Sequence, residues 1–317
     1  MLLVVAAVAG CDRAKVEEPS SRPSAPPPPT PVEIAPLSDR LTRTAPERLV
    51  AIGDLHGDLD HARRALRLAG AIDERDAWIG GKLMVVQTGD EIDRGDGDRR
   101  ILDLFERLKV EARAAGGEVI ALLGNHELMN VALDFRYVTP GGFAAFSMLT
   151  ATDGGVVPSQ VDPNARGRAA AFLPGGTYAS LLARRPLVMK VGDTLFVHGG
   201  VLPKHVAYGL DKMNDEVDEW LAGKRAEPPA IVMSDDGPVW TRVYSDDEKP
   251  PACATLTQAL ARTGTKRMVV GHTVQKRGVS SACDGKVWRI DVGLARHFGG
   301  PIEVLVVAGD AVSVQKE

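Results

Sequence analysis

The sequence lacks the motifs of several large enzyme classes. It contains no Walker A loop, no GxGxxG after a strand-like run and no GxSxG, which excludes the nucleotide, dinucleotide and α/β-hydrolase sites built on these motifs. The pair His126-Glu127 does not begin a helical zinc-protease motif, because Asn130 stands where the second histidine would be. The formal net charge is -4, which gives no general attraction to nucleic acid.

Cysteine is also scarce. The chain has 3 cysteines, Cys11, Cys253 and Cys283, and this lack of thiolates argues against a structural zinc cluster. Cys253 and Cys283 form either a disulfide in an oxidising compartment or two buried free thiols, and the sequence leaves both alternatives open.

The apolar run at the N-terminus, MLLVVAAVAGC over residues 1–11, is too short to span a bilayer. It ends in small residues before Cys11, as export signals do, and Val8-Ala9-Gly10-Cys11 resembles the bacterial lipobox, in which the cysteine is lipidated. We therefore expect an extracytoplasmic lipoprotein, facing the periplasm or the cell exterior, that reaches the membrane only through this anchor. A frayed apolar N-terminus or a misplaced start codon is the alternative.

Residues 12–45 are rich in proline and serine and are typical of an extended linker. The folded domain is expected at residues 46–317. Its first part alternates strand-like and helix-like patterns, which predicts parallel β-α-β units. The predicted strands are 48–53, 82–88 and 118–123, and the predicted helices are 59–68 and 101–115.

The second part of the domain is less regular. Residues 141–185 show no clear period, so we interpret residues 136–185 as a cap-like insertion over the site. Two strands joined by a Gly-Asp turn are predicted at 187–191 and 194–197, with a helix at 212–221. Segments 267–270, 286–292, 302–307 and 311–315 predict a mainly antiparallel second sheet, with a hairpin turn at Gly309-Asp310.

Polar residues follow these predicted strands at their exits. In an open parallel sheet such exits meet at one edge, where ligands bind. The candidate residues are Asp54, His56, Asp90, Asn125, His126, His198 and His272. Two carboxylates, several imidazoles and an amide oxygen form the ligand set of paired first-row divalent metals, and so few carboxylates would leave excess positive charge for a phosphate. The other histidines, His61, His205 and His297, are expected to be ordinary packed or solvated side chains.

Five motifs in order carry a family resemblance: GDLHGD, GDEIDRGD, GNHE, VHGG and VVGHT. They resemble the signature of the calcineurin-like metallophosphoesterases and, within them, the PPP phosphoprotein phosphatases. The spacing and the closing segment from Ile290 most resemble the bacterial Shewanella-like protein phosphatases. The resemblance implies an α/β fold of two packed mixed β-sheets flanked by helices.

The resemblance also implies site roles. Two divalent metal ions, manganese first and iron or zinc as alternatives, would be held by Asp54, His56, Asp90, Asn125, His198 and His272, with Asp90 between them. A water bridging the metals would attack phosphorus. His126 would be the general acid oriented by Asp93, while Arg94 and Arg242 would bind phosphate oxygens.

Three functions are compatible with these residues. The first is hydrolysis of phosphomonoesters on phosphoproteins, at serine, threonine or tyrosine. The second is hydrolysis of small phosphoesters or nucleotides outside the cytoplasm. The third is a catalytically dead surface binding protein, which would require missing ligands. An open groove would favour the first function, and a pocket narrowed by the cap would favour the second.

Overall fold

A computed structural model describes residues 2, 37–149, 156–246 and 250–317. The expected lipidation site at Cys11 and the linker up to residue 36 lie outside these residues. The first described elements are a 3₁₀ helix, Asp39–Leu41, and strand β1, Thr42–Arg43. Both precede the domain boundary expected at residue 46. Within the described ranges no helix is long and apolar enough to cross a membrane.

The other strands found in the described residues are β2 (Leu49–Ile52), β3 (Met84–Gln87), β4 (Glu118–Ala121), β5 (Val188–Val191), β6 (Thr194–Val197), β7 (Arg267–Val270), β8 (Ser280–Ala282), β9 (Val287–Arg289), β10 (Glu303–Ala308) and β11 (Ala311–Lys316). The helices of the same residues are α1 (Leu59–Leu68), α2 (Asp98–Ala114), α3 (Asn125–Val131), α4 (Pro140–Ala144), α5 (Arg166–Phe172), α6 (Thr177–Leu182), α7 (Pro203–Tyr208), α8 (Leu210–Leu221), α9 (Ala230–Met233) and α10 (Pro250–Thr263), with another 3₁₀ helix at Pro163–Ala165.

These strands form two mixed sheets. One has five strands in the order β11-β10-β2-β3-β4, and the other has six in the order β1-β5-β6-β7-β9-β8. In the first, β2, β3 and β4 are parallel, and β10 and β11 add as an antiparallel edge. In the second, β6 is parallel to β7 and β7 to β9. The predicted α/β fold of two packed mixed sheets is confirmed.

The apolar pattern of the strands explains how the layers pack. Residues of β2 and β3 are buried on both faces, as parallel strands covered on both sides require. One face, with Leu49 and Val86, packs against residues of the other sheet such as Phe196 and Val269. The opposite face packs against α1 and α2. The two sheets therefore form a sandwich with helices outside it.

Most of the predicted elements are present, but the C-terminal sheet assignment was wrong. Helix α1 has the predicted bounds, and β5 and β6 form the predicted hairpin. The four C-terminal segments do not form one antiparallel sheet, because β7 and β9 lie parallel in the six-stranded sheet while β10 and β11 extend the other sheet. Alternating apolar residues define a strand but not its partner. The Gly309-Asp310 hairpin turn is confirmed.

Residues 136–185 are more ordered than their sequence suggested. Their described part forms α4, α5, α6 and a 3₁₀ helix. Phe146, Phe172 and Tyr178 pack into the main apolar core, with centroid distances of 5.0 Å to 5.8 Å between their rings. Small residues, chiefly alanine and glycine, masked the helical period. The segment therefore packs beside the sandwich in addition to reaching the site.

A disulfide joins Cys253 in α10 to Cys283, which follows β8. Of the two alternatives that the sequence left open, the bridged one is present. The bond ties a peripheral helix to the β8-β9 hairpin.

Candidate metal centre

The parallel strands deliver the candidate residues to one place. The register pairs Ile52 with Gln87 and Gln87 with Ala121, so the loops after β2, β3 and β4 leave the first sheet at the same edge. In the second sheet Val197 pairs with Val270, so His198 and His272 leave side by side. The two edges face each other, and all seven strand-exit residues are buried.

Asp90 lies at the centre of this cluster. Its Oδ2 atom is 3.3 Å from Nε2 of His198 and 3.8 Å from Nε2 of both His56 and His126. Ligand atoms of His198 and His272 lie within 4.8 Å of Asp90, as do those of His56 and His126. The central carboxylate is therefore shared by two groups of candidate ligands, as expected for a bridging ligand.

Three imidazoles are oriented by backbone carbonyls. The carbonyl oxygen of Ile92 lies 3.3 Å from Nδ1 of His56, that of Thr88 lies 2.9 Å from Nδ1 of His198, and that of Trp240 lies 3.0 Å from Nε2 of His272. Each contact fixes the N–H of the ring and leaves the other nitrogen with a lone pair. Such outer contacts are typical of histidines that bind metals.

The remaining candidate oxygens are held by the loops. Asp54 accepts hydrogen bonds from the backbone N–H of His272, at 3.1 Å to Oδ2, and Oδ1 of Asn125 lies 3.0 Å from Nε2 of His198. Glu127 accepts hydrogen bonds from the backbone N–H groups of Asp90, Glu91 and Gly124. Glu127 thus supports the loops after β3 and β4.

The backbone is strained at several of these residues. The φ angles are 44° at His56, 59° at Asp90, 70° at Asp93, 69° at Arg94 and 67° at His272. Non-glycine residues rarely adopt positive φ, and such residues cluster at functional sites. The fold therefore holds these side chains at a conformational cost.

Burial and charge shape the ionisation of the cluster. Burial lowers the pKa of His56 and of His272 to about 3, so both rings are neutral. Burial opposes ionisation of Asp90, but His198 and His126 hold its pKa well below the usual value. Neutral imidazoles and an ionised central carboxylate are the forms that bind divalent metals.

His126 differs from the other imidazoles because its partner is a carboxylate. Nδ1 lies 2.7 Å from Oδ2 of Asp93, and Nε2 faces Asp90. Burial opposes protonation of His126, but the charges of Asp90 and Asp93 outweigh it and raise its pKa. A protonated imidazole held by a carboxylate can donate a proton from Nε2.

Two arginines border the same space. The guanidinium of Arg94 stacks on the ring of Tyr137, 3.9 Å from its centroid. Arg242 donates to the carbonyl oxygen of His272 at 2.9 Å and to Oγ1 of Thr273 at 2.8 Å. Both arginines line one cavity of about 640 Å³ together with His56, His126 and His272.

The donor set fits a pair of divalent cations. Imidazole nitrogens with backbone partners, carboxylate oxygens and an amide oxygen surround one shared aspartate. Imidazole and oxygen ligands suit manganese, iron and zinc, and cysteine thiolates do not contribute.

Comparison with known proteins decides the family. The family model of the calcineurin-like phosphoesterases matches residues 47–276. The chain belongs to this family. Shewanella-like protein phosphatase 2 of Arabidopsis thaliana is 41% identical over 300 residues, which cover 84% of this chain and 76% of the relative. Shewanella-like protein phosphatase 1 of Plasmodium berghei (strain Anka) is 30% identical over 268 residues, 80% of this chain and 69% of the relative.

Solved structures agree with this assignment. A structure described as a cold-active protein tyrosine phosphatase superposes with a TM-score of 0.74 at 26% identity, covering 90% of this chain and 79% of that chain. A protein serine/threonine phosphatase from Saccharomyces cerevisiae shares the fold, with a TM-score of 0.57 at 16% identity and 90% and 84% of the two chains covered. The predicted membership and the prediction of a metal-dependent phosphoric monoester hydrolase are confirmed.

The calcineurin-like site also contains residues that the sequence analysis missed. Asp291 lines the cavity, and burial raises its pKa to about 6. It had been placed within a predicted strand, 286–292, but β9 ends at Arg289 and leaves Asp291 in the exit loop. The argument that two carboxylates would leave excess positive charge for a phosphate was therefore incomplete. The segment IDVGL from Ile290 could have identified Asp291, since it follows an apolar run as the other strand exits do.

The other residues that were missed come from outside the motifs. Tyr137, Asp235, Trp240 and Phe298 also line the cavity. Arg168 lies behind it and contacts Asp93. No pattern in the sequence around Tyr137 or Arg168 distinguished these residues from their neighbours.

Proposed function

We propose that this calcineurin-like phosphoesterase removes phosphate from phosphoproteins. The observation that carries the proposal is the position of the His126-Asp93 pair, 3.8 Å from the aspartate at the centre of the candidate metal ligands. A proton donor next to a metal pair suits a reaction in which an alkoxide or phenolate must leave.

The metal ligands we propose are Asp54, His56, Asp90, Asn125, His198 and His272. When bound, two divalent cations would polarise phosphoryl oxygens and lower the pKa of a bound water. Manganese is our first choice, with iron or zinc as alternatives.

The protein's own residues would perform the other steps. The guanidinium groups of Arg94 and Arg242 would bind phosphate oxygens, since their forked donors match that geometry. As the bond from phosphorus to the leaving oxygen breaks, His126 would give that oxygen its Nε2 proton. Asp93 would keep the ring in the required orientation by accepting from Nδ1.

The shape of the site supports a polypeptide substrate. A second cavity of about 530 Å³ also has His56 and Arg94 in its wall, and it extends past Asp58, Asp96 and Arg296. Of residues 136–185, the described part contributes Tyr137 to the central cavity and Thr139 and Pro140 to the second one. A site continued on one side by an open depression can hold residues that flank a phosphorylated side chain.

We further propose that the protein is an extracytoplasmic lipoprotein anchored at Cys11. The lipobox-like VAGC run and the Cys253–Cys283 disulfide support this location, because disulfides persist in oxidising compartments. Cell fractionation tests it: the wild type should sediment with membranes, whereas Cys11→Ser should be released or remain unprocessed. Recovery of wild-type protein in the cytosol would contradict the proposal.

Turnover by the full chain tests the catalytic proposal. The protein is stripped with a chelator and assayed with manganese, iron, zinc or no metal, on an aryl phosphate, a nucleotide and phosphoserine, phosphothreonine and phosphotyrosine peptides. We expect metal to restore activity and Asp90→Asn and His126→Ala to lower it by about 100-fold or more. Asp310→Asn, an exposed aspartate in the β10-β11 turn, is the control.

Each of the other outcomes would support a different function or a different general acid. A preference for the nucleotide over every peptide would favour the small-phosphoester function. Absence of turnover with all three metals would favour a binding protein. Wild-type activity of His126→Ala would show that the general acid is another group.

A further inference from the structure

The structure contains a wholly buried arginine directly behind the proposed general acid. Arg168 in α5 has no exposed surface. It donates to Oδ1 of Asp93 at 2.9 Å, to Oδ2 of Asp98 at 2.7 Å, to Oδ1 of Asn130 at 2.7 Å and to the carbonyl oxygen of Gly142 at 3.0 Å. A buried cation with this many acceptors holds its partners in fixed positions.

The contacts form a closed ring around Asp93. Asp98 accepts from the backbone N–H of Asp93 through Oδ1 and from Arg168 through Oδ2. Arg168 in turn donates to the side chain of Asp93. Since Asp93 has a φ of 70°, the ring holds both its strained backbone and its carboxylate.

The two oxygens of Asp93 have different partners. Oδ2 faces Nδ1 of His126 at 2.7 Å, and Oδ1 accepts from Arg168. The side-chain amide of Asn130 donates to both oxygens, at 3.0 Å and 3.1 Å. Without Arg168, Asn130 alone would oppose rotation of the carboxylate away from the imidazole.

We propose that Arg168 is a positioning residue for the proton transfer from His126. This inference rests on the proposed function. In the step concerned, the oxygen of the attacking water bonds to phosphorus, the bond between phosphorus and the leaving oxygen breaks, its electron pair stays on that oxygen, and the oxygen takes the Nε2 proton of His126. The helical segment containing α5 thereby contributes to catalysis without touching the substrate.

The proposal predicts a dependence on the leaving group. A poor leaving group such as the oxygen of phenyl phosphate or phosphoserine needs the proton, whereas 2,4-dinitrophenolate leaves without it. We expect Arg168→Met to lower kcat for the first two substrates by about 100-fold and for 2,4-dinitrophenyl phosphate by no more than about threefold. Arg168→Lys keeps the positive charge but not the forked donors of the guanidinium, so its kcat values should lie between those of the wild type and Arg168→Met.

The control is a second wholly buried arginine. Arg185 pairs with Glu91 at 2.8 Å and with Glu106 at 3.2 Å, and no contact to Asp93 is present among the described residues. Arg185→Met should destabilise the fold without changing the leaving-group dependence. Metal content and thermal stability are measured for each variant. If Arg168→Met does not fold, Arg168→Lys carries the test.

A spectroscopic readout is independent of turnover. In the chelator-stripped protein, the Nδ1–H proton of His126 should give a downfield proton NMR signal that is absent from His126→Ala. We expect this signal in wild type and Arg185→Met, and its loss in Arg168→Met. An unchanged signal would overturn the inference.

The kinetic outcomes separate this inference from the proposed function. An equal loss on all three substrates, or no loss, in an active enzyme would overturn the positioning role alone. A wild type inactive on all three with every metal would overturn the proposed function and this inference together.

Discussion

Gly124 is a residue at which two loops of the site approach each other closely. A Cβ atom there would lie 2.1 Å from Oδ1 of Asp90 and 2.4 Å from its backbone nitrogen. Such contacts cannot be relieved without moving the loop after β3 away from the loop after β4. Because Asp90 is the shared candidate ligand, the metal site depends on the absence of a side chain at this glycine.

Gly124→Ala should therefore lower metal content more than stability. We expect at least about a tenfold loss of manganese affinity, comparable to the loss of an outer contact of a ligand. Equilibrium dialysis with elemental analysis measures it. Gly309→Ala is the control, because a Cβ there meets open space; its φ is positive, at 61°, whereas that of Gly124 is −101°. Equal metal affinity in both variants would contradict the argument.

The residues found from sequence and those missed differ for a physical reason. His198 and His272 could be predicted because a strand, a glycine or valine and a ligand-capable residue follow one another in the chain. Arg168 could not, since its role depends on four partners that are distant in sequence. Asp291 was missed because apolar neighbours hid the end of β9.

At the scale of elements, helix α7 contains, as its third residue, a histidine that must be neutral. Nδ1 of His205 accepts from the backbone N–H of Leu202 at 3.0 Å, and Nε2 donates to the carbonyl oxygen of Asp236 at 3.0 Å. Burial lowers the pKa of His205 to about 4 from the ordinary 6.5. The expectation of an ordinary packed side chain agrees with this position.

The sign of the resulting pH dependence follows from the lowered pKa. Between pH 6.5 and pH 4 the unfolded chain binds a proton at His205 that the folded chain does not. The contribution of the neutral His205 to the free energy of unfolding is therefore complete above pH 6.5 and is lost as pH falls. We expect His205→Gln to remove about 2 kcal/mol of this fall, measured by urea unfolding across that range. His297→Gln, which changes an exposed histidine, should show the same fall in unfolding free energy as the wild type. If the pH profile of His205→Gln ran parallel to that of the wild type, His205 would not be the group responsible.

The disulfide acts on another peripheral element. Cys253 and Cys283 are separated by 30 residues, and closing such a loop stabilises the fold by about 3 to 4 kcal/mol in the chain-entropy model. A reducing agent should therefore lower Tm by roughly 10 °C. The Cys253→Ser/Cys283→Ser double variant should have the lower Tm already and no response to the reducing agent. A response in the double variant would show that the reductant acts elsewhere.

Elements differ in how far the sequence defines them. Helix α1 has clear apolar spacing and was predicted with its bounds, whereas α5, of sequence RGRAAAF, has small residues on every side and was not. The pairing of β10 with β2 spans most of the chain. Local patterns contain no information about such distant partners, which explains the wrong assignment of the C-terminal sheet.

For the molecule as a whole, metal binding should couple the two sheets. The first sheet supplies Asp54, His56, Asp90 and Asn125, and the second supplies His198 and His272. A metal that binds only the folded chain stabilises it by about 2.7 kcal/mol at a free concentration 100 times its Kd. Manganese should therefore raise Tm, whereas Asp90→Asn should show little increase.

The size of this increase should depend on pH. Burial, together with Asp291 and Asp90, raises the pKa of Asp54, and the pKa of His198 is also raised, because its contact with Asp90 outweighs burial. Protons at these two groups compete with metal, so affinity should rise with pH. His56 and His272, with pKa values of about 3, are neutral at pH 5 and add no such competition.

Scanning calorimetry of chelator-stripped protein at pH 5 and pH 8, with and without manganese, measures this coupling. We expect a larger increase in Tm at pH 8 than at pH 5, and a smaller pH effect in Asp54→Asn, where one competing proton is removed. An equal increase at both pH values would show that Asp54 and His198 are not the groups that exchange protons for metal. An increase that survives in Asp90→Asn would place the metal outside the cluster between the sheets.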